Sequence, residues 1–120
     1  MRADGGTRCA SITAAYVATY QALEWMIANR MIKRNLMKEP VAAVSVGVVR
    51  GQELLDLNYD EDSTAATDMN VVMTASGKFI EIQGTAEAEP FSAETLGRML
   101  ALAKKGISQL NDLQREALGL

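Results

Sequence analysis

Two short stretches of the sequence hold residues suited to chemistry. The first is Asp4-Gly5-Gly6-Thr7-Arg8, directly ahead of a helical pattern. A helix start leaves its first amides without intrahelical partners and carries a partial positive charge, which suits a phosphate. Paired glycines let the backbone approach an anion closely. Thr7 offers a hydroxyl and an amide, and Arg8 a guanidinium that can bind two oxygens at once. The plainer alternative is a glycine turn capped by Asp4 or Thr7, with Arg8 on the surface. The second stretch runs from Asp60 to Asp68, where Asp62 and Asp68 flank a short loop that enters a strand. Such a loop could bring both carboxylates to one oxygen-liganded divalent cation, Mg²⁺ or Mn²⁺. Left bare, the two acids would repel each other, which favours a cation or a proton between them. The alternative here is a solvated acidic turn with Asp68 merely opening the strand. Taken together, a phosphate cradle and a carboxylate-held divalent ion are what phosphoryl transfer requires.

Composition narrows the chemistry further. The chain has 120 residues and no histidine. Ser-His-Asp and Cys-His arrangements, His-ligated metals and a histidine base are therefore excluded. One cysteine, Cys9, cannot form an internal disulfide and fits a reducing compartment. No apolar run approaches the roughly 18 residues of a membrane span, and Met1 to Gly6 lack a signal-peptide pattern. The expectation is a cytoplasmic protein without a membrane partner, folded as one domain over residues 1–120. Net charge is −3, unevenly spread. Arg30, Lys33, Arg34 and Lys38 form a basic stretch, whereas Glu53, Asp56, Asp60, Glu61, Asp62 and Asp68 fall in a stretch with no base.

The elements that must position these residues follow from periodicity. From Ser11 to Asn29, Ile12, Ala15, Tyr16, Leu23, Met26 and Ile27 recur at three-and-four spacing, with Thr19 and Ala22 between them, which predicts an amphipathic helix. Val41–Val49 reads as a strand, with Ala42, Val44, Val46 and Val48 on one face and the smaller Ala43, Ser45 and Gly47 on the other, beside Val49. Arg50-Gly51 forms a turn into a second strand, Gln52–Leu57. Further strands are predicted over Met69–Thr74 and Lys78–Thr85. Ser92 caps a last helix whose buried stripe is Leu96, Met99, Leu100, Ala103, Ile107 and Leu110. Gly106 in that helix points to a close packing partner. The order implies an α+β fold, a mostly antiparallel sheet with the two main helices on one face.

At these residues the sequence resembles the ribonuclease PH family. Ala3-Asp4-Gly5-Gly6-Thr7-Arg8-Cys9-Ala10-Ser11-Ile12 is similar to that family's phosphate-site segment. The resemblance continues in order through Pro40 to Gly47, Leu54 to Leu57, Glu61-Asp62-Ser63, Asp68-Met69-Asn70-Val71-Val72-Met73-Thr74, Glu81-Ile82-Gln83-Gly84-Thr85-Ala86-Glu87 and Pro90-Phe91-Ser92. It covers only the C-terminal half of family members. It implies a ribosomal protein S5 domain 2-like half-fold and a phosphorolytic 3′→5′ exoribonuclease that trims RNA and tRNA 3′ ends and releases nucleoside diphosphates. Inorganic phosphate is the co-substrate, held in the family by the segment that here is Gly6, Thr7 and Arg8. Asp62 and Asp68 correspond to the family's aspartates for metal binding (Mg²⁺ or Mn²⁺) and catalysis. A further phosphate-contacting arginine and a basic tRNA-gripping loop of the family are missing. Arg2 either stands in part for that arginine or is a surface residue. Loss of half a fold exposes a sheet edge and an apolar face, so a homo-oligomer is expected. The competing expectation is a non-catalytic, self-associating or RNA-binding remnant.

Overall fold

A computed structural model describes residues 4–120; Arg2 lies outside the described residues. The elements in chain order are α1 (Thr7–Ala28), β1 (Val41–Val49), β2 (Gln52–Leu55), α2 (Tyr59–Thr64), β3 (Thr67–Thr74), β4 (Phe79–Ala86) and α3 (Ala93–Leu118). The strands form one antiparallel sheet in the order β2-β1-β3-β4. The α+β class and the antiparallel sheet are as the sequence implies. The hairpin between β1 and β2 turns on Arg50 and Gly51, both with positive φ (51° and 77°), the geometry whose twist matches paired strands.

Alternation along β1 sorts the core. Ala42, Val44 and Val46 stand opposite Met73, Val71 and Met69 of β3 and pack against Met99, Ala103 and Ile107 of α3. The whole predicted stripe of α3 is used, since Leu96, Leu100 and Leu110 join the same cluster. A Cβ on Gly106 would lie 2.9 Å from Leu55 Cδ2 and 3.3 Å from Val44 Cγ1, the close contact that glycine permits. On the opposite face, Ala43 and Val72 pack with Cys9 and Ile12 of α1. The two long helices therefore do not share one face, contrary to the sequence expectation.

The reason lies at an edge. β2 pairs only with Val46–Val49, so the rest of the outer edge of β1 lacks a strand partner. Buried backbone polar groups must be paired, and helices supply the partners. Thr13 Oγ1 accepts from the Ala43 amide at 3.1 Å and donates to the Ala43 carbonyl at 3.4 Å. Gln114 Nε2 donates to the carbonyls of Val41 (2.8 Å) and Thr13 (3.0 Å). The Thr13 and Gln114 bonds hold α1 along the edge of β1 and fix where its N-terminus falls. Beside them, Ser45 O accepts from the amide of Asp56, just after β2, at 2.8 Å.

Two local departures bear on the site. α1 begins at Thr7, ahead of the predicted Ser11, and buries Cys9 and Tyr16, while Ala15, Thr19 and Ala22 are exposed. The stretch after Asn58 is not a loop but the short helix α2, closed by a capping box in which Asn58 Oδ1 accepts from the Glu61 amide (2.9 Å) and Glu61 Oε2 from the Asn58 amide (3.0 Å). Asp60, Glu61 and Asp62 fill its first turn, where the helix dipole favours acids. No described helix is long and apolar enough to cross a membrane.

Candidate active site

The start of α1 is shaped by its glycines. Gly6 is the N-cap residue at φ 61° and ψ 28°, a left-handed conformation natural to glycine, and no side chain caps the helix. A Cβ on Gly5 would lie 2.4 Å from the Leu57 carbonyl oxygen, so only glycine lets this segment lie flat against the connection into α2. Asp4 does not cap α1: its Oδ2 accepts from the Tyr59 amide at 3.2 Å, at the start of α2. Thr7 sits inside the first turn, exposed, and its carbonyl accepts from Ser11 Oγ at 2.8 Å. The first-turn amides of α1 thus have no capping side chain.

The sheet face beneath this helix start carries the aspartate. Asp68 on β3 stands opposite Gly47 of β1 and Thr85 of β4. Two residues along, Asn70 stands opposite Ser45 and Gln83, on the same face because strand side chains alternate. The helix start reaches this face at three points. Ser45 Oγ is 3.5 Å from where a Cβ of Gly6 would be. Cys9 Sγ donates to Asn70 Oδ1 at 3.3 Å, and Asn70 Nδ2 donates to Gln83 Oε1 at 3.3 Å. Arg8 Nη2 donates to Glu81 Oε2 at 2.8 Å. Gly6, Arg8 and Asp68 therefore border one face, with Asn70 between helix and aspartate.

The charges agree with this placement. Burial pushes the Asp68 carboxyl above its ordinary range, and the nearby charges of Asp62 and Glu87 push it further. Asp62, carried on α2, is thus near enough for its charge to act on Asp68. Neither aspartate belongs to an ion pair among the described residues. The Cys9 thiol is raised chiefly by burial, with Arg8 opposing and Asp68, Glu81 and Asp56 adding to the shift. Among the described residues, no three His, Cys, Asp or Glu side chains converge to hold a metal ion. Two carboxylates still suit Mg²⁺, which commonly takes one or two from the protein and completes its shell with water and substrate phosphate.

Several neighbours of the site escape a reading for single motifs: Ser45, Asn70, Glu81, Gln83 and Glu87. Their signal is polar residues at every second position of otherwise apolar strands, as in Asp68/Asn70 and Glu81/Gln83/Thr85. The basic stretch is not at the site. It follows the far end of α1, whose 22 residues span roughly 33 Å at about 1.5 Å each. A groove of about 530 Å³ runs between α1 and α3, from Gly5, Gly6 and Cys9 at the helix start to Leu113 and Ala117 of α3.

A family model described as the 3′ exoribonuclease family, domain 2, matches residues 39–106. The chain belongs to the 3′ exoribonuclease, or ribonuclease PH, family. Asp62 and Asp68 fall inside the matched span, and Gly6, Thr7 and Arg8 precede it. The crystal structure of rice (Oryza sativa) Rrp46 has the same fold, with a TM-score of 0.74 at 20% identity, covering 100% of this chain and 51% of that one. The chain therefore spans about half the length of this member of the same fold.

Proposed function

We propose that this chain acts as a phosphate-dependent 3′→5′ exoribonuclease that trims RNA 3′ ends, those of tRNA precursors among them. Inorganic phosphate binds at the start of α1, on the Gly6, Thr7 and Arg8 amides and the Arg8 guanidinium. One phosphate oxygen attacks the phosphorus of the terminal phosphodiester. A P–O bond forms to the phosphate, the bond to the 3′-oxygen of the preceding nucleotide breaks, and that oxygen takes a proton to leave a new 3′ end. The released product is a nucleoside diphosphate. Asp62 and Asp68 would hold Mg²⁺ or Mn²⁺, which when bound neutralises charge developing on the transferred phosphoryl group. The observation that carries the reading is the single face bordered by Gly6, Arg8 and Asp68, with Cys9 bonded to Asn70 between them.

Incubation of a tRNA precursor with the chain and Mg²⁺ tests it. Nucleoside diphosphates should appear only when phosphate is added, and Arg8→Ala and Asp68→Ala should each remove them. Monophosphate products without added phosphate would instead mean hydrolysis at the same site. Full activity in both variants would refute the site assignment.

Self-association completes the proposal. β4 forms the outer edge of the sheet and exposes Phe79, Ile80 and Ile82, and α1 exposes Trp25. Unpaired strand edges and contiguous apolar surface favour association, and a second copy supplies the cover. Sedimentation should show a homo-oligomer at micromolar concentration; a stable monomer would contradict it. The exposed apolar residues of the β4 edge also suit a second reading, a non-catalytic module that assembles or binds RNA, for which association persists with no phosphorolysis.

A further inference from the structure

We propose that Glu81 is the positioning residue for Arg8, holding its guanidinium on the sheet face where an incoming phosphate meets it; this rests on the reading of Arg8 as a phosphate ligand. Arg8 occupies the first turn of α1, where the positive end of the helix dipole disfavours a cation, and that turn contains no acid. The compensating charge comes from 73 positions away. Glu81 Oε2 accepts from Arg8 Nη2 at 2.8 Å.

The anchor is built on fixed backbone. Glu81 stands opposite Val72, and Val72 packs with Cys9, the neighbour of Arg8, and with Ala43. Glu81 lies lower on the sheet than Arg8, with side-chain exposures of 34% and 52%. A guanidinium carries five N–H donors, and Glu81 engages one of its nitrogens, so the others stay available to an anion. Each partner holds the other in its charged form: Arg8 is raised and Glu81 lowered, each mainly by the hydrogen bond between them. Without Glu81, the long arginine side chain is released from a helix end that repels it. Its ordering must then be supplied by the anion itself, which weakens binding.

The test is calorimetric titration of the full chain with inorganic phosphate, with steady-state kinetics beside it. Glu81→Ala should weaken phosphate binding about twofold to fivefold, the effect expected for losing an exposed ion pair. KM for phosphate should rise with kcat little changed, the mark of lost binding common to ground and transition states. Glu81→Gln, which keeps an acceptor oxygen, should fall between the two and shows that the effect is not a loss of folding. The Arg8 Nη–H resonances, expected to be shifted in the wild type by the bond to Glu81, should move toward the free-arginine position in Glu81→Ala. If Arg8→Ala abolishes binding while Glu81→Ala binds phosphate as well as or better than the wild type, Glu81 is a bystander or a competitor and the proposal fails. If Arg8→Ala itself binds normally, the phosphate assignment fails, and the role of Glu81 with it.

Discussion

Thr13→Val would test how the edge of β1 places the helix start. Valine matches threonine in shape and replaces the one hydroxyl that pairs with both backbone groups of Ala43. Ala43 is 2% exposed, so water cannot readily take over. Leaving its amide unpaired costs about 1–3 kcal/mol. The 3.4 Å bond to the Ala43 carbonyl is long and adds little. The new methyl returns part of the loss: a fully buried one is worth about 0.8 kcal/mol, and at the half-buried Thr13 position about 0.4 kcal/mol. The net destabilisation is therefore about 0.6–2.6 kcal/mol, a fall in Tm of about 2–15 °C for a domain of this size. Urea unfolding with linear extrapolation measures it, and Thr13→Ser should restore the wild-type value. Phosphate affinity should fall with Thr13→Val, because α1 would be held less firmly against Ala43. A variant within 0.5 kcal/mol of wild type, a bound taken as about the scatter of neutral surface changes, would refute the idea that this hydroxyl anchors the helix.

Other perturbations follow from named contacts. Gly5→Ala would drive a Cβ to 2.4 Å from the Leu57 oxygen, and both chains there are backbone; the shift should cost about 1–3 kcal/mol and lower kcat/KM by about 100-fold through misplacement of Arg8, read by urea melts and single-turnover kinetics. Asp68→Asn removes a carboxylate that burial and two acids make unfavourable, so the metal-free variant should melt higher than wild type while diphosphate release is lost. Glu39 accepts from the Ser76 amide and hydroxyl at 2.8 and 3.1 Å, which lowers its carboxyl below 4.5, and Arg98 does the same for Glu53. For groups depressed in the fold, the stabilisation is present above the unfolded value and disappears as pH falls through the folded one. Melting temperature should therefore drop with acid below about pH 4.5, and less steeply in Glu39→Gln.

Much of this was legible in the residues, for physical reasons that differ by element. The stripe of α3 follows from a period of 3.6 because one face is buried, whereas β1 is buried on both faces and its period of 2 shows in side-chain size, with Val44 and Val46 toward α3 and Ala43 toward α1. α1 is harder to read. Its role as an edge plug uses Thr13 where a sheet-covering helix would use an apolar residue, so the apolar spacing points to Ala15, Thr19 and Ala22, which face solvent. Nor does a local pattern announce that β2 stops at Leu55, and that early stop is what moves α1 away from the face covered by α3. In α2, the run of acids hides a capping box, since Asn58 and Glu61 read equally well as loop residues. The site shows the same division. The candidates Gly6, Thr7, Arg8, Asp62 and Asp68 are singled out by type, spacing and the family resemblance, whereas Glu81 and Asn70 meet the helix start only through pairing across the sheet.

The most direct test of the shared face is a crystal of the chain grown with phosphate and Mn²⁺, examined by anomalous scattering. Phosphate density at the Thr7 and Arg8 amides, and a manganese peak at Asp62 and Asp68 on the same side of the sheet, is the expected result. Ions that bind these two groups on opposite sides of the molecule, or bind neither, would contradict it.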